Sequence, residues 1–239
     1  RDPYTGERRP PKKQDAANTA LISDALENID YVMSLCMIAD QTPTLADVHE
    51  LDAMIRNSTK PICTWAFNAQ NLDFMLQMCA EVAGGKDELA KKPFVIIYSE
   101  PTSPMKHTHD ALEKVFVTTQ YGIPTLYTPG MIMGGTSPAT IAGSLAVGFA
   151  DTFVGLVINQ LLKPGAPFMG GTSGTPLEMT TMQTPYGDPT TSLLLGCSNE
   201  ILQYLAIPSF DMAGSTEAKV VDAQAGIEAS MQVMISLLT

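Results

Sequence analysis

The sequence predicts an α/β protein, a (β/α)8 TIM-type barrel present as an incomplete barrel of about six β–α units. Three observations predict it. Six short apolar runs, at 29–39, 61–67, 94–98, 124–127, 167–170 and 208–212, each end in a tip that carries Gly, Pro or an acid. Between and after them, the stretches at 45–57, 71–82, 108–121, 138–162, 192–205 and 222–238 have the length and periodicity of helices. Strict alternation of the two implies a parallel sheet, because parallel neighbours need a helical crossover. Six consecutive units with no second domain's worth of sequence favour a barrel, with an open doubly wound sheet as the alternative.

In chain order, residues 1–14 carry four Pro or Gly and five basic residues and read as an irregular leader. Residues 15–239 read as the partial barrel domain. Its entry helix starts near Asp15, sets Ala20, Leu21, Ala25 and Leu26 on one face, and ends at Asn28. Connections are short except for 128–137 after the fourth run and 170–191 after the fifth; loops of that length inside a compact repeat are commonly functional. A complete barrel takes about 250 residues. The chain opens without a methionine and stops on a helix. Two further β–α units and an N-terminal extension are therefore expected outside it.

Composition removes several function classes. A net charge of −11 with 14 Lys and Arg argues against nucleic acid, whose phosphates need clustered cations. Cys36, Cys63, Cys79 and Cys197 show no C-x-x-C spacing, so reduced thiols in a cytoplasmic protein are expected. The long apolar stretch 138–162 is interrupted by Asp151, Asn159 and Gln160 and is rich in Ala and Gly, which suits a packed helix better than a membrane span.

In parallel barrels the chemistry sits where strands end, so the tips hold the candidates. The fourth tip carries Gly134, Gly135 and Thr136 ahead of Ser137 and Pro138, an N-cap and first-turn pair; it reads either as an anion-holding helix start or as a plain tight turn. The fifth repeats the theme with Gly170, Gly171 and Thr172, and the two together suggest a roomy, uncharged floor for a large flat ligand. At the third tip Glu100 reads as a general base, a counter-charge to a cation, or a solvated cap. Trp65, Tyr98 and Tyr127 near strand ends can enclose a quaternary ammonium, although core packing is the commoner fate of each. The sixth tip gathers Asp211, Glu217, Lys219, Asp222 and Gln224, either as an acid–amide set facing a cavity or as surface pairs. His107 and His109 lie at a helix start, where alternate spacing does not converge on zinc, so no metal site is expected. No Ser–His–Asp set or phosphate loop is present.

Several stretches together carry a family resemblance. They are Thr5-Gly6-Glu7-Arg8-Arg9-Pro10, Asn28-Ile29-Asp30-Tyr31, Thr59-Lys60-Pro61-Ile62, and Met131-Ile132-Met133-Gly134-Gly135-Thr136-Ser137-Pro138-Ala139-Thr140-Ile141-Ala142-Gly143. Lys163-Pro164-Gly165-Ala166-Pro167 and Asp222-Ala223-Gln224-Ala225-Gly226-Ile227-Glu228 complete the set. In order and over the whole length, the chain resembles the trimethylamine methyltransferase (MttB-like) family of corrinoid-dependent methyltransferases. The resemblance implies transfer of a methyl group from a methylated amine, trimethylamine or a quaternary amine such as glycine betaine, to the cobalt of a corrinoid held on a separate protein. No cofactor is then bound directly; the corrinoid (cobalamin) arrives with its partner protein and supplies the nucleophile. Glu100, Glu217, Lys219, Asp222 and Gln224 become the expected catalytic set, with Trp65, Tyr98 and Tyr127 on the amine. Gly134, Gly135, Thr136, Gly170, Gly171 and Thr172 become the floor near the corrinoid. A homo-oligomer is expected, with no nucleic acid or membrane partner. Some members of the family carry pyrrolysine, at a position expected just beyond Thr239. Where members often have Ser-Asp-Ser-Lys or Thr-Asp-Ser-Lys, this chain has Ser215-Thr216-Glu217-Ala218-Lys219, whose Glu217 is a longer acid. The rival readings are a phosphate-binding barrel lyase or isomerase and an inactive corrinoid- or betaine-binding homologue.

Overall fold

The structure is a computed structural model that describes residues 5–33 and 36–239. Residues 1–4 of the expected leader, and Ser34 and Leu35 of the first expected strand, lie outside the described residues. The chain divides into two compact units. One comprises the residues up to Tyr98 together with Phe116–Pro124, the other Ser99–Val115 and Thr125–Thr239.

The first unit holds α1 (Lys13–Ala25), β1 (Val32–Met33), a 3₁₀ turn at Pro43–Leu45, α2 (Ala46–Asn57), β2 (Ile62–Trp65), α3 (Ala69–Ala83), α4 (Lys86–Lys91) and β3 (Val95–Ser99). The strands run parallel, with Val32 beside Ile62, Ile62 beside Val95 and Trp65 beside Tyr98. Their apolar side chains meet Leu72, Met75 and Leu76 of α3 and Leu89 of α4 in one buried core. The sequence reading treats the residues of α4 as connection, but Leu89 is fully buried and holds this short helix down. Helix α3 starts where the Asn68 side chain accepts from the Asn71 N–H at 2.8 Å, and stops at Gly84, whose φ of 88° suits glycine. Buried Asp47 fastens two elements at once. Its Oδ2 accepts from the Phe67 N–H at 2.8 Å and its Oδ1 from Asn71 Nδ2 at 2.8 Å.

The second unit holds the start of α5 (His109–Tyr121), then β4 (Thr125–Tyr127), β5 (Gly130–Met133), α6 (Ile141–Leu162), β6 (Phe168–Gly170), β7 (Ser173–Pro176), α7 (Pro189–Tyr204) and α8 (Ala223–Leu238). β4 pairs parallel with β6, Tyr127 beside Gly170. β5 and β7 form their own two-stranded parallel sheet, from Gly130 beside Ser173 to Met133 beside Pro176. Both belong to stretches that the sequence presents as long loops, because Gly, Pro, Ser and Thr dominate them. The sixth expected strand is absent. Residues 208–212 contribute one parallel bridge, Ser209 to Gly170, in which the Gly170 N–H donates to the Pro208 carbonyl and the Phe210 N–H to the Gly170 carbonyl. Helix α6 starts at Ile141, not at Pro138, because Thr140 is its cap and accepts from the Gly143 N–H.

Helix α6 is long and apolar enough to cross a membrane by length and composition. Its polar residues Asp151, Thr152 and Asn159 are nonetheless fully buried within the unit. They share a face with Gly148 and Gly155, which lets the helix backbone approach the strands. A Cβ on Gly155 would lie 2.4 Å from the Tyr127 ring and 2.9 Å from Tyr127 Cβ; one on Gly148 would meet Thr172 Cγ2 at 2.3 Å. In contrast, a Cβ on Gly226 of α8 would meet nothing within 4 Å. Opposite signs follow. Gly155→Ala should destabilise, since overpacking costs about 1–3 kcal/mol and the clash with Tyr127 Cβ stops the ring from swinging clear. Gly226→Ala should stabilise by about 0.5–1 kcal/mol through helix propensity. Urea denaturation midpoints of the two variants read the difference.

Candidate active site

Three expected residues meet at the ends of β4 and β6. Thr128 follows β4 and Gly171 follows β6; both are buried. A Cβ on Gly171 would lie 2.5 Å from the Phe210 carbonyl oxygen and 2.7 Å from Thr128 Oγ1, so only glycine fits between these strand ends. The Thr152 hydroxyl donates to the Gly171 carbonyl at 2.6 Å, and Thr172 lies beside it with Oγ1 3.4 Å away. Gly170, Gly171 and Thr172 thus line one uncharged shelf clamped by α6. Thr128 Oγ1 is sealed from solvent without a hydrogen-bond partner.

Gly134, Gly135 and Thr136 stand apart from that shelf, beyond the far end of β5, about 13 Å of extended chain away at 3.3 Å per residue. The N–H groups of Gly135, Thr136 and Ser137 all donate to the Ile132 carbonyl, and that of Gly134 to the Ser137 carbonyl. Thr136 Oγ1 in turn accepts from the Ile132 N–H at 3.0 Å. The donors an anion would need are spent within the turn.

Glu100 is exposed and lies over Gly130, where a Cβ would come within 2.4 Å of Glu100 Oε1. The loop that follows is tied to α6 through Asp151. Its Oδ1 accepts from the Met105 N–H at 2.9 Å and its Oδ2 from Ser103 Oγ at 3.1 Å. His107 Nε2 is 3.4 Å from Asp151 Oδ1, an ion-pair distance outside hydrogen-bond geometry, while His107 Nδ1 pairs with the Tyr127 hydroxyl at 2.8 Å. Tyr127 is fully buried, its ring between Gly155 and a stacked His107. Burial, and then the charge of Asp151, push its phenol far above the usual range. Tyr127 therefore belongs to the support of this loop, together with Asp151 and His107, which are not in the expected site set: the sequence marks Asp151 only as a polar interruption of an apolar stretch and His107 only as an unconvincing zinc ligand. His109 diverges from His107 and lies on the surface beside Asp110 and Glu113.

The remaining expected residues separate. Trp65 and Tyr98 are paired neighbours on β2 and β3 of the first unit, Trp65 edge-on to Phe67 with ring centroids 4.9 Å apart. At the sixth tip, Asp222 caps α8 by accepting from the Ala225 N–H, and Gln224 donates to Glu228. Glu217 accepts from the Tyr186 N–H, and exposed Lys219 lies 3.8 Å from Glu217. Glu228, absent from the expected set, gathers this segment by accepting from the Thr216 hydroxyl and the Glu217 N–H. Asp211 differs from all of these. Its Oδ1 accepts from the Met212 N–H at 2.7 Å, but its Oδ2 is sealed from solvent without a partner. Burial pushes this carboxyl up to about 7. Burial pushes the Cys63 and Cys79 thiols up to about 12 and raises that of Cys36 as well, which keeps these three from acting as nucleophiles.

Asp151→Ala strands two donors, the Met105 N–H and the Ser103 hydroxyl, at about 1–3 kcal/mol each. The expected outcome is a loss of about 2–4 kcal/mol in chemical denaturation, with faster amide exchange at Met105. Unchanged exchange there would show that Asp151 does not hold the loop.

A family model described as trimethylamine methyltransferase (MTTB) matches residues 1–239. The chain is 31% identical over 237 residues to the trimethylamine methyltransferase MttB of Desulfitobacterium hafniense, covering 99% of this chain and 48% of that protein. Identity to MttB of Methanosarcina barkeri is 31% over 231 residues, 95% of this chain and 46% of the relative. A glycine betaine methyltransferase of D. hafniense is 26% identical over 235 residues, 98% of this chain and 49% of its own. The chain spans about half the length of the curated relatives it matches. With a match running from its first residue to its last, it belongs to the trimethylamine methyltransferase family.

Proposed function

We propose that this chain forms part of an amine:corrinoid methyltransferase, which passes a methyl group from a methylated amine to a corrinoid carried by a partner protein. The observation that carries the reading is the family match over all 239 residues. Relatives named for trimethylamine and for glycine betaine place the donor among methylated amines. The parallel β–α units are read as part of a (β/α)8 barrel, in a cytoplasmic homo-oligomer. The corrinoid supplies the nucleophile, which suits a site whose described residues include no activated thiol.

The chain's own contribution is then to position and to exclude water. Gly170, Gly171 and Thr172 give a flat, uncharged shelf, and the Gly171 position, where any Cβ would clash, keeps it low. Glu100, exposed at the third tip on a loop held by Asp151, provides a negative group where the amine approaches. Gly134, Gly135 and Thr136 are read as the outer rim on the corrinoid side. Glu217, Lys219, Asp222 and Gln224 order the segment that carries Asp211.

The phosphate-binding alternative is weakened by the fourth tip, whose N–H groups are consumed by Ile132 and Ser137. The test is incubation of the protein with its reduced corrinoid partner and trimethylamine or glycine betaine, following the cobalt absorption. Amine-dependent spectral change is expected with one of them. Amine binding without any spectral change would instead mark an inactive homologue.

A further inference from the structure

We infer that Asp211 is the anion that recognises the methylated ammonium group of the substrate; this deepens the reading above and rests on it. Asp211 is half-buried, and the contrast of its sealed Oδ2 with two fully buried acids carries the argument. Asp47 receives the Phe67 N–H and Asn71 Nδ2; Asp151 receives the Met105 N–H and Ser103 Oγ, with His107 beside it. Asp211 receives one backbone N–H, on Oδ1, and its Oδ2 is sealed and unpaired. Among the described residues no Lys, Arg or His forms an ion pair with it. A carboxylate oxygen sealed in that condition is costly unless something compensates it.

Its place in the fold selects what does. Asp211 follows Phe210, whose carbonyl abuts Gly171, so it stands one residue past the shelf at the ends of β4 and β6. Thr128, with its own sealed and unpartnered hydroxyl, borders the same face of Gly171. One free carboxylate oxygen and a hydroxyl fall short of the six or more oxygens that calcium or magnesium takes. A methylated ammonium fits better. Its charge is spread under methyl groups, so it sheds water cheaply and asks for a counter-charge without a coordination shell. A protonated tertiary amine adds one N–H, which Oδ2 can accept; a quaternary amine supplies charge alone.

Burial holds the Asp211 carboxyl at about 7, and no charged neighbour is among the causes of that shift. A bound cation favours the ionised form. Affinity for the cation therefore falls as pH drops below about 7, by up to tenfold per unit, and reaches a plateau above it.

The experiment is calorimetric titration of the protein with glycine betaine, with its uncharged-centre carbon isostere 3,3-dimethylbutanoate, and with trimethylammonium chloride, between pH 6 and 8. The expected result is at least a tenfold preference for one ammonium compound over the isostere, growing with pH. Asp211→Asn should erase the preference and leave isostere affinity unchanged. Whichever of the two cations binds names the donor subclass. A preference that survives in Asp211→Asn, or that is flat with pH in the wild type, overturns the assignment. Should the variant fail to fold, the wild-type pH dependence decides alone. Methyl transfer by the wild type with an unchanged KM in Asp211→Asn sinks Asp211 and leaves the function standing. Absence of binding by all three compounds sinks both.

Discussion

The second unit depends on how closely α6 can lie against the strands. Gly148, Asp151, Thr152 and Gly155 occupy its inner face, and each sets a different part of the site. Gly155 admits the Tyr127 ring, and Gly148 admits Thr172 together with Met131. Thr152 then reaches the Gly171 carbonyl, and Asp151 reaches the loop behind Glu100. A single added methyl group on either glycine moves the helix outward, and the hydroxyl and carboxylate lose their partners with it. Small residues give the approach and polar residues use it. That pairing is why a helix with the composition of a membrane span makes sense as a packed one.

Polar groups buried by this approach are mostly satisfied, which makes the exceptions informative. Thr152 has two carbonyls within reach, and Gln160 donates to the Ala166 carbonyl while accepting from the Gly165 N–H. The unpartnered atoms of the second unit include Thr128 Oγ1 and Asp211 Oδ2, on two segments that both border Gly171. A folded chain tolerates such atoms where a ligand completes them.

Much of the helical framework was legible in the sequence. The stretches 45–57 and 108–121 correspond to α2 at Ala46–Asn57 and α5 at His109–Tyr121, because apolar periodicity and polar ends both mark them. Parallel pairing followed from alternation and is seen at β1 to β3 and at β4 with β6. What escaped is the structure made of residues that look like loop. β7 is built from Ser, Gly, Thr and Pro, and β5 is four residues set among Gly, Pro, Ser and Thr, where only Met131, Ile132 and Met133, with the two methionines buried, hinted at a strand. At 208–212 the error ran the other way. Pro208 has no N–H to give, and only one residue there completes a bridge. The site was legible as tips but not as contacts. Glu100 and Gly171 were visible from position, whereas Asp151 and His107 meet 44 positions apart, and no local pattern reports that.

This distribution of chemistry has a consequence for what the chain must do. Its thiols in the first unit's core are held protonated by burial, and Tyr127 is both buried and engaged by His107, so neither is available to attack a methyl carbon. The groups that remain near the strand ends are a flat backbone shelf, an exposed carboxylate and a sealed one. Under the proposed function, such a set would attract a cation and hold it against a surface without reacting with it. Methyl transfer from an ammonium releases a neutral amine, so the charge that the inferred role of Asp211 would compensate disappears as the methyl leaves. A counter-charge that grips the substrate and loses its hold on the product favours release of the amine. It also raises the barrier to methyl loss, because the cation is stabilised more than the transition state. With one oxygen of Asp211 sealed and Glu100 open to water, that cost would be limited while recognition is preserved.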